Sequence, residues 1–91
     1  MHKGLRIIVS GVVQGVGFRY YVKRLADRFG AKGFVRNLPS GDVEIYAEAE
    51  DRLLNGFLGE IRIGPSHAHV SNIKIEWLEY KGTFNEFGIE L

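Results

Sequence analysis

Leu5 to Val12 is rich in isoleucine and valine and reads as a first strand. The stretch from Gly11 to Gly17 then spaces three glycines through an otherwise apolar segment, the pattern of a loop. From Arg19 to Phe29, Val22, Leu25, Ala26 and Phe29 recur at helical spacing, while Lys23, Arg24, Asp27 and Arg28 fill the other side. Gly30 stops this helix where a left-handed residue is favoured. Gly33 to Leu38 reads as a second strand, and Pro39-Ser40-Gly41 supplies a turn. Beyond it Val43, Ile45, Ala47 and Ala49 alternate with Asp42, Glu44, Tyr46 and Glu48, which predicts a hairpin with one wet face.

Asp51 to Ile63 gathers Leu54, Phe57, Leu58 and Ile61 on one stripe, opened by Glu50 and Asp51 and closed by Gly64-Pro65. A second helix follows from this, weakened by Gly56 and Gly59. Val70 to Tyr80 alternates Ile73, Ile75 and Trp77 with Lys74, Glu76 and Leu78, and Phe87, Ile89 and Leu91 make a short last strand. The order is βαββαβ with a tail strand. Right-handed crossovers then favour an α+β, ferredoxin-like sandwich: an antiparallel sheet with both helices on one face and a short extra C-terminal strand. No repeat or linker divides residues 1–91, so a single domain is expected. The architecture hosts enzymes, RNA binders and regulatory modules alike, so function has to be read from a site.

Composition narrows the classes. A chain of 91 residues has no room for a second catalytic domain. Twelve basic against 11 acidic residues leave a net charge of +1, so no whole-chain attraction for nucleic acid or an anionic membrane is expected. A local cluster can still hold one small anion. Cysteine is absent, which removes thiol nucleophiles, iron–sulfur clusters and Cys-type zinc sites, and suits a reducing, cytoplasmic setting. The apolar run from Leu5 to Val13 is broken by Arg6, Ser10 and Gly11 and falls far short of the roughly 20 residues of a membrane span. Met1, His2 and Lys3 precede it without a cleavage pattern behind, so no secretory signal is expected. With no unusual apolar stripe in view, a monomer is the default.

The chemistry lies between the first strand and the first helix. None of Ser, Thr, Asp or Asn stands between Gly11 and Tyr20 to cap the first turn, so several amides lack an obvious partner. Arg19 there also opposes the helix dipole by some tenths of a kcal/mol. A phosphate would remedy both defects, satisfying the donors and pairing with the guanidinium while Gly15 and Gly17 let the backbone curl around it. A plain strand-to-helix turn with Arg19 in solvent accounts for the same residues, and the loop alone does not choose. Known nucleotide motifs do not help: a GxGxxG from Gly15 would need glycine at Tyr20, and Gly59 to Gly64 has P-loop spacing with Pro65 in place of lysine.

Val9-Ser10-Gly11-Val12-Val13-Gln14-Gly15-Val16-Gly17-Phe18-Arg19 resembles the first signature of the acylphosphatase family. Gly33-Phe34-Val35-Arg36-Asn37, followed by Gly41 and Val43, resembles the second. The likeness covers essentially the whole chain, with Ala49 standing where the family pattern places glycine, a change expected to touch packing. By position, the resemblance implies that Arg19 binds a phosphoryl group together with the loop of Gln14, Gly15, Val16, Gly17 and Phe18, and that Asn37 orients the attacking water. It implies a small-molecule acyl phosphate as substrate, inorganic phosphate as product or inhibitor, and neither metal nor cofactor. Such a reaction needs little else, because the leaving carboxylate has a pKa near that of Glu, roughly 4, and departs without a general acid.

Other residues have plainer explanations. His67 and His69 lack a nearby carboxylate and are expected in solvent rather than on a metal. Glu48, Glu50 and Asp51 fit the charge of a helix start, and Ser10 and Ser66 carry no nucleophile elbow. Lys32-Gly33-Phe34 echoes the start of an RNA-recognition motif, but Arg36 and Asn37 break it. A phosphate receptor without turnover, as in acylphosphatase-like domains of larger proteins, is the other rival reading.

Overall fold

The first strand, β1 (His2–Val12), starts three residues ahead of its apolar run, in a computed structural model that describes residues 1–91. It is followed by α1 (Phe18–Phe29), β2 (Lys32–Asn37), β3 (Val43–Glu50), α2 (Asp51–Ile63), β4 (His69–Glu79) and β5 (Phe87–Glu90). These elements form one five-stranded sheet in the order β4-β1-β3-β2-β5. Pairing is antiparallel between β1 and β3, β1 and β4, and β2 and β3, as a ferredoxin-like sandwich requires. The tail strand differs: β5 lies parallel to β2, making the sheet mixed.

One face of the sheet carries both helices. Leu5, Ile7 and Val9 of β1 and Val43, Ile45 and Ala47 of β3 point at them and are fully buried. Burying side chains of this kind contributes about 1.5–3 kcal/mol each for Leu, Ile, Val and Phe. From the helices come Val22, Leu25 and Ala26, and the predicted stripe of Leu54, Phe57, Leu58 and Ile61. Ala49 is buried in this cluster, so its methyl adds to the core. Gly56 costs helix propensity but serves packing, because a Cβ there would sit 2.7 Å from the Phe29 ring where α1 and α2 meet. A second glycine is fixed by the sheet: a Cβ on Gly33 would fall 1.9 Å from the Tyr46 carbonyl oxygen.

The other face corrects an expectation. Glu44, Tyr46 and Glu48 alternate as a water-facing row should, yet they are only 2%, 9% and 3% exposed. Glu44 is enclosed by Arg6 and Arg36, and it accepts a hydrogen bond from Arg36 Nε at 2.6 Å. Glu48 accepts from the Tyr46 hydroxyl at 2.6 Å and from the Lys81 amide at 2.9 Å. The connection from β4 to β5 thus crosses this face, and its Phe84 ring packs on Phe34 and Tyr46. Alternation shows which residues share a face, and says nothing of a strap laid over it. No helix is long and apolar enough to cross a membrane.

Candidate active site

The ladder between β1 and β4 breaks its register between Ser10 and Gly11, and the chain leaves the sheet there. Gly11 has φ 125°, and a Cβ on it would lie 2.1 Å from the His69 carbonyl oxygen, so only glycine fits this bend. Gly15 and Gly17 then take left-handed conformations, with φ 74° and 77°. Gly17 is the residue ahead of α1, and no side chain caps the helix or places an acid in its first turn. The first helical bond runs from the Tyr21 amide to the Gly17 carbonyl at 3.0 Å, so the amides of Phe18, Arg19 and Tyr20 precede any helical acceptor.

The residues that carry these amides line a cavity of about 200 Å³ together with Val13, Gly15, Gly17, Asn37 and Ile89. A water occupies about 30 Å³ in the liquid, so there is room for a phosphoryl-sized anion with water beside it. A Cβ on Gly15 or Gly17 would meet no atom within 4 Å, so their glycine requirement is conformational, not steric. Phe18 is 1% exposed and anchors the helix start in the core, and it also lines the cavity. The Arg19 guanidinium donates from Nη1 to the Glu90 carbonyl at 2.9 Å, which leaves the rest of its fork of donors free.

Asn37, the last residue of β2, reaches the same cavity from the opposite side of the sheet's end. Its Oδ1 is closed off from solvent and has no hydrogen-bond partner, the one such side-chain atom in the molecule. An orphaned buried acceptor costs about 1–3 kcal/mol, so a native chain that keeps one has a use for it. Two members of the predicted loop lie elsewhere. Val16 packs partly buried against the core. Gln14 donates from Nε2 to the carbonyls of Leu38 and Asp42, both at 2.9 Å, and so ties the loop to the β2–β3 turn beside Asn37.

Sequence reading missed the contribution of the tail strand. The parallel register sets Ile89 beside Val35 and Glu90 beside Arg36, which brings both to the end of β2 that carries Asn37. Ile89 walls the cavity and Glu90 holds Arg19. The Phe87-Ile89-Leu91 alternation marks a strand, but nothing local to it marks its neighbour. His67 and His69 are exposed, and no three His, Cys, Asp or Glu side chains are grouped as a metal would require.

Known proteins resemble this chain over nearly its full length. The sequence pattern of the Acylphosphatase family matches residues 5–89. An acylphosphatase of Thermotoga maritima is 43% identical over 88 residues, covering 97% of each chain. One from Archaeoglobus fulgidus is 48% identical over 75 residues, covering 82% of this chain and 84% of its own. The crystal structure of acylphosphatase from Bacillus subtilis matches with a TM-score of 0.94 at 36% identity, each chain covered to 100%.

Proposed function

The chain belongs to the acylphosphatase family, and from that premise we propose that the cavity at the start of α1 is where it hydrolyses acyl phosphates without a metal. The observation that carries the proposal is one cavity lined by Arg19, the uncapped start of α1 and Asn37, whose Oδ1 is buried with no partner.

The phosphoryl group sits on the amides ahead of Tyr21, where the positive end of the helix dipole faces it. Arg19 grips two of its oxygens with the edge of the fork not engaged by Glu90. These donors are fixed before substrate arrives and need no reorganisation as charge moves onto the oxygens. Asn37 holds a water behind phosphorus, and a half-turn of its amide lets it offer that water either a donor or an acceptor. It is not a base. The water oxygen bonds to phosphorus as the carboxyl oxygen–phosphorus bond breaks, and that bonding pair leaves with the carboxylate. The water's proton passes to a phosphate oxygen, giving a carboxylate and orthophosphate. Because the leaving carboxylate is already a weak base, with a pKa of roughly 4, positioning and electrostatics suffice.

Three comparisons test this. Hydrolysis of benzoyl phosphate continues unchanged in excess chelator; loss of activity there would show that a metal takes part. A simple phosphomonoester, whose alkoxide leaves poorly, is turned over far more slowly. Arg19→Ala loses both turnover and inhibition by orthophosphate, and Arg19→Lys recovers little because an ammonium has no planar fork. If Arg19→Ala retained phosphate inhibition, the anion would bind elsewhere.

A further inference from the structure

Glu48 is 3% exposed and takes part in no ion pair. Burying a carboxylate without a cation beside it is costly unless hydrogen bonds replace the water it loses. Three donors do so here: the Tyr46 hydroxyl at 2.6 Å, the Lys81 amide at 2.9 Å and the Gly82 amide at 3.3 Å. The last two are consecutive amides near the start of the strap, residues 80–86, that joins β4 to β5. A second fastening lies further along, where Phe84 packs on Phe34 and Tyr46 with ring centres 6.0 and 5.6 Å apart. Glu48 is far from the cavity, since it stands opposite Lys32 at the start of β2, about 16 Å along the strand from Asn37. The strap ends in β5, which has four residues and pairs with β2 alone. Yet Ile89 of β5 walls the cavity and the Glu90 carbonyl holds the Arg19 guanidinium.

We propose that Glu48 is a positioning residue for the hydrolysis: by holding the strap it fixes the path of β5, and through β5 the Glu90 carbonyl that aims Arg19 at the phosphoryl group. This rests on the catalytic reading of the cavity proposed above. An ionised carboxylate suits the task because both of its oxygens accept. Oε2 takes the hydroxyl and the Lys81 amide, and Oε1 takes the Gly82 amide. Such charge-assisted bonds are roughly twice as strong as neutral ones. A glutamine of the same shape has only one accepting oxygen, and whichever way it is turned its NH2 faces the amide of Lys81 or of Gly82. One bond to the strap is then lost, and Arg19 is less well aligned before substrate arrives. A bound phosphoryl group itself draws Arg19 into place, so the loss falls on binding more than on the chemical step.

Kinetics on benzoyl phosphate, inhibition by orthophosphate and amide exchange of residues 87–90 test this in three variants of the full chain. Glu48→Gln is expected to raise KM and the inhibition constant about tenfold, to change kcat by about twofold or less, and to speed exchange in β5. Phe84→Ala loosens the second fastening and is expected to act in the same way, which decides the matter should Glu48→Gln fail to fold. Tyr46→Phe is the control. It removes one bond to Glu48 while both strap amides stay held, so its Tm falls and both constants match those of the unaltered chain. Constants unmoved by Glu48→Gln, or by Phe84→Ala where only that variant folds, overturn the proposal, because the buried Phe87 and the ladder on β2 then hold β5 unaided. So does a Tyr46→Phe that weakens phosphate as much as Glu48→Gln, which reduces the effect to stability. Failure of the catalytic reading looks different: there Arg19→Ala itself keeps phosphate inhibition.

Discussion

Tyr46 and Glu48 show how a residue's surroundings set its chemistry. The Tyr46 hydroxyl donates to the Glu48 carboxylate at 2.6 Å. Burial and then this bond to an anion push its pKa up to about 12 from 10.0. Burial, with Glu60 nearby, also raises Tyr21, so two of the four tyrosines are shifted upward. The folded state holds the Tyr46 proton more tightly than the unfolded chain does. Its contribution is therefore complete below pH 10 and is lost as pH rises through about 12. A phenolate absorbance titration of the folded protein is expected to show one tyrosine ionising last, and Tyr46→Phe is expected to remove that step. Asn37 has the opposite condition, a polar atom with too few partners rather than a full set. Its position was legible only through the second signature, since an asparagine before Leu38-Pro39-Ser40-Gly41 is otherwise an ordinary turn residue.

At the level of elements, the turn from β1 to α1 and the β2–β3 hairpin hold the site from two sides, with Gln14 tying them together. A glycine of the turn, Gly17, and one inside β2, Gly33, differ in kind. Gly17→Ala meets no atom, so it should cost about 1 kcal/mol of left-handed strain and leave a folded, slower enzyme. Gly33→Ala drives a methyl into the Tyr46 carbonyl between paired strands, so chemical denaturation is expected to show a loss well above 1 kcal/mol for the same change in formula, roughly the 3 kcal/mol of a severe substitution. Equal losses for the two would refute this distinction. The elements themselves were legible because each writes its period locally: α2 runs from Asp51 to Ile63 with the stripe its spacing announces. Their covers and neighbours were not. Glu44 and Glu48 alternate as wet residues do, and only the strap and the two arginines bury them. Ile73, Ile75 and Trp77 alternate as core residues do, and only the edge position of β4 leaves the last two open.

For the whole molecule, the sheet order explains why the site needs the tail. β5 crosses to the far edge and returns parallel to β2, so the end of the chain closes the cavity its first loop opened. The local half of this candidate site, Gly15, Gly17 and Arg19, was legible as one of two readings, because glycine conformation and a missing cap are short-range facts, and only the resemblance to the first signature chose between them. Ile89 and Glu90 could not, because strand neighbours far apart in sequence decide their place. An anion bound only by the folded chain must also stabilise it: orthophosphate at a hundred times its dissociation constant adds about 2.7 kcal/mol. For a domain of this size that is a rise of about 10–20 °C in Tm. Arg19→Ala should melt at the same temperature with and without phosphate, and a shift equal to that of the unaltered chain would place the anion away from Arg19. The central claim separates holding the phosphoryl group from aiming the water, and Asn37→Ala divides the two. Its kcat on benzoyl phosphate and its inhibition constant for orthophosphate, measured together against the unaltered chain, give the most direct test. The account predicts a kcat lower by about a hundredfold with the inhibition constant unchanged. An unaltered kcat, or an inhibition constant that weakens in step with it, would contradict the account.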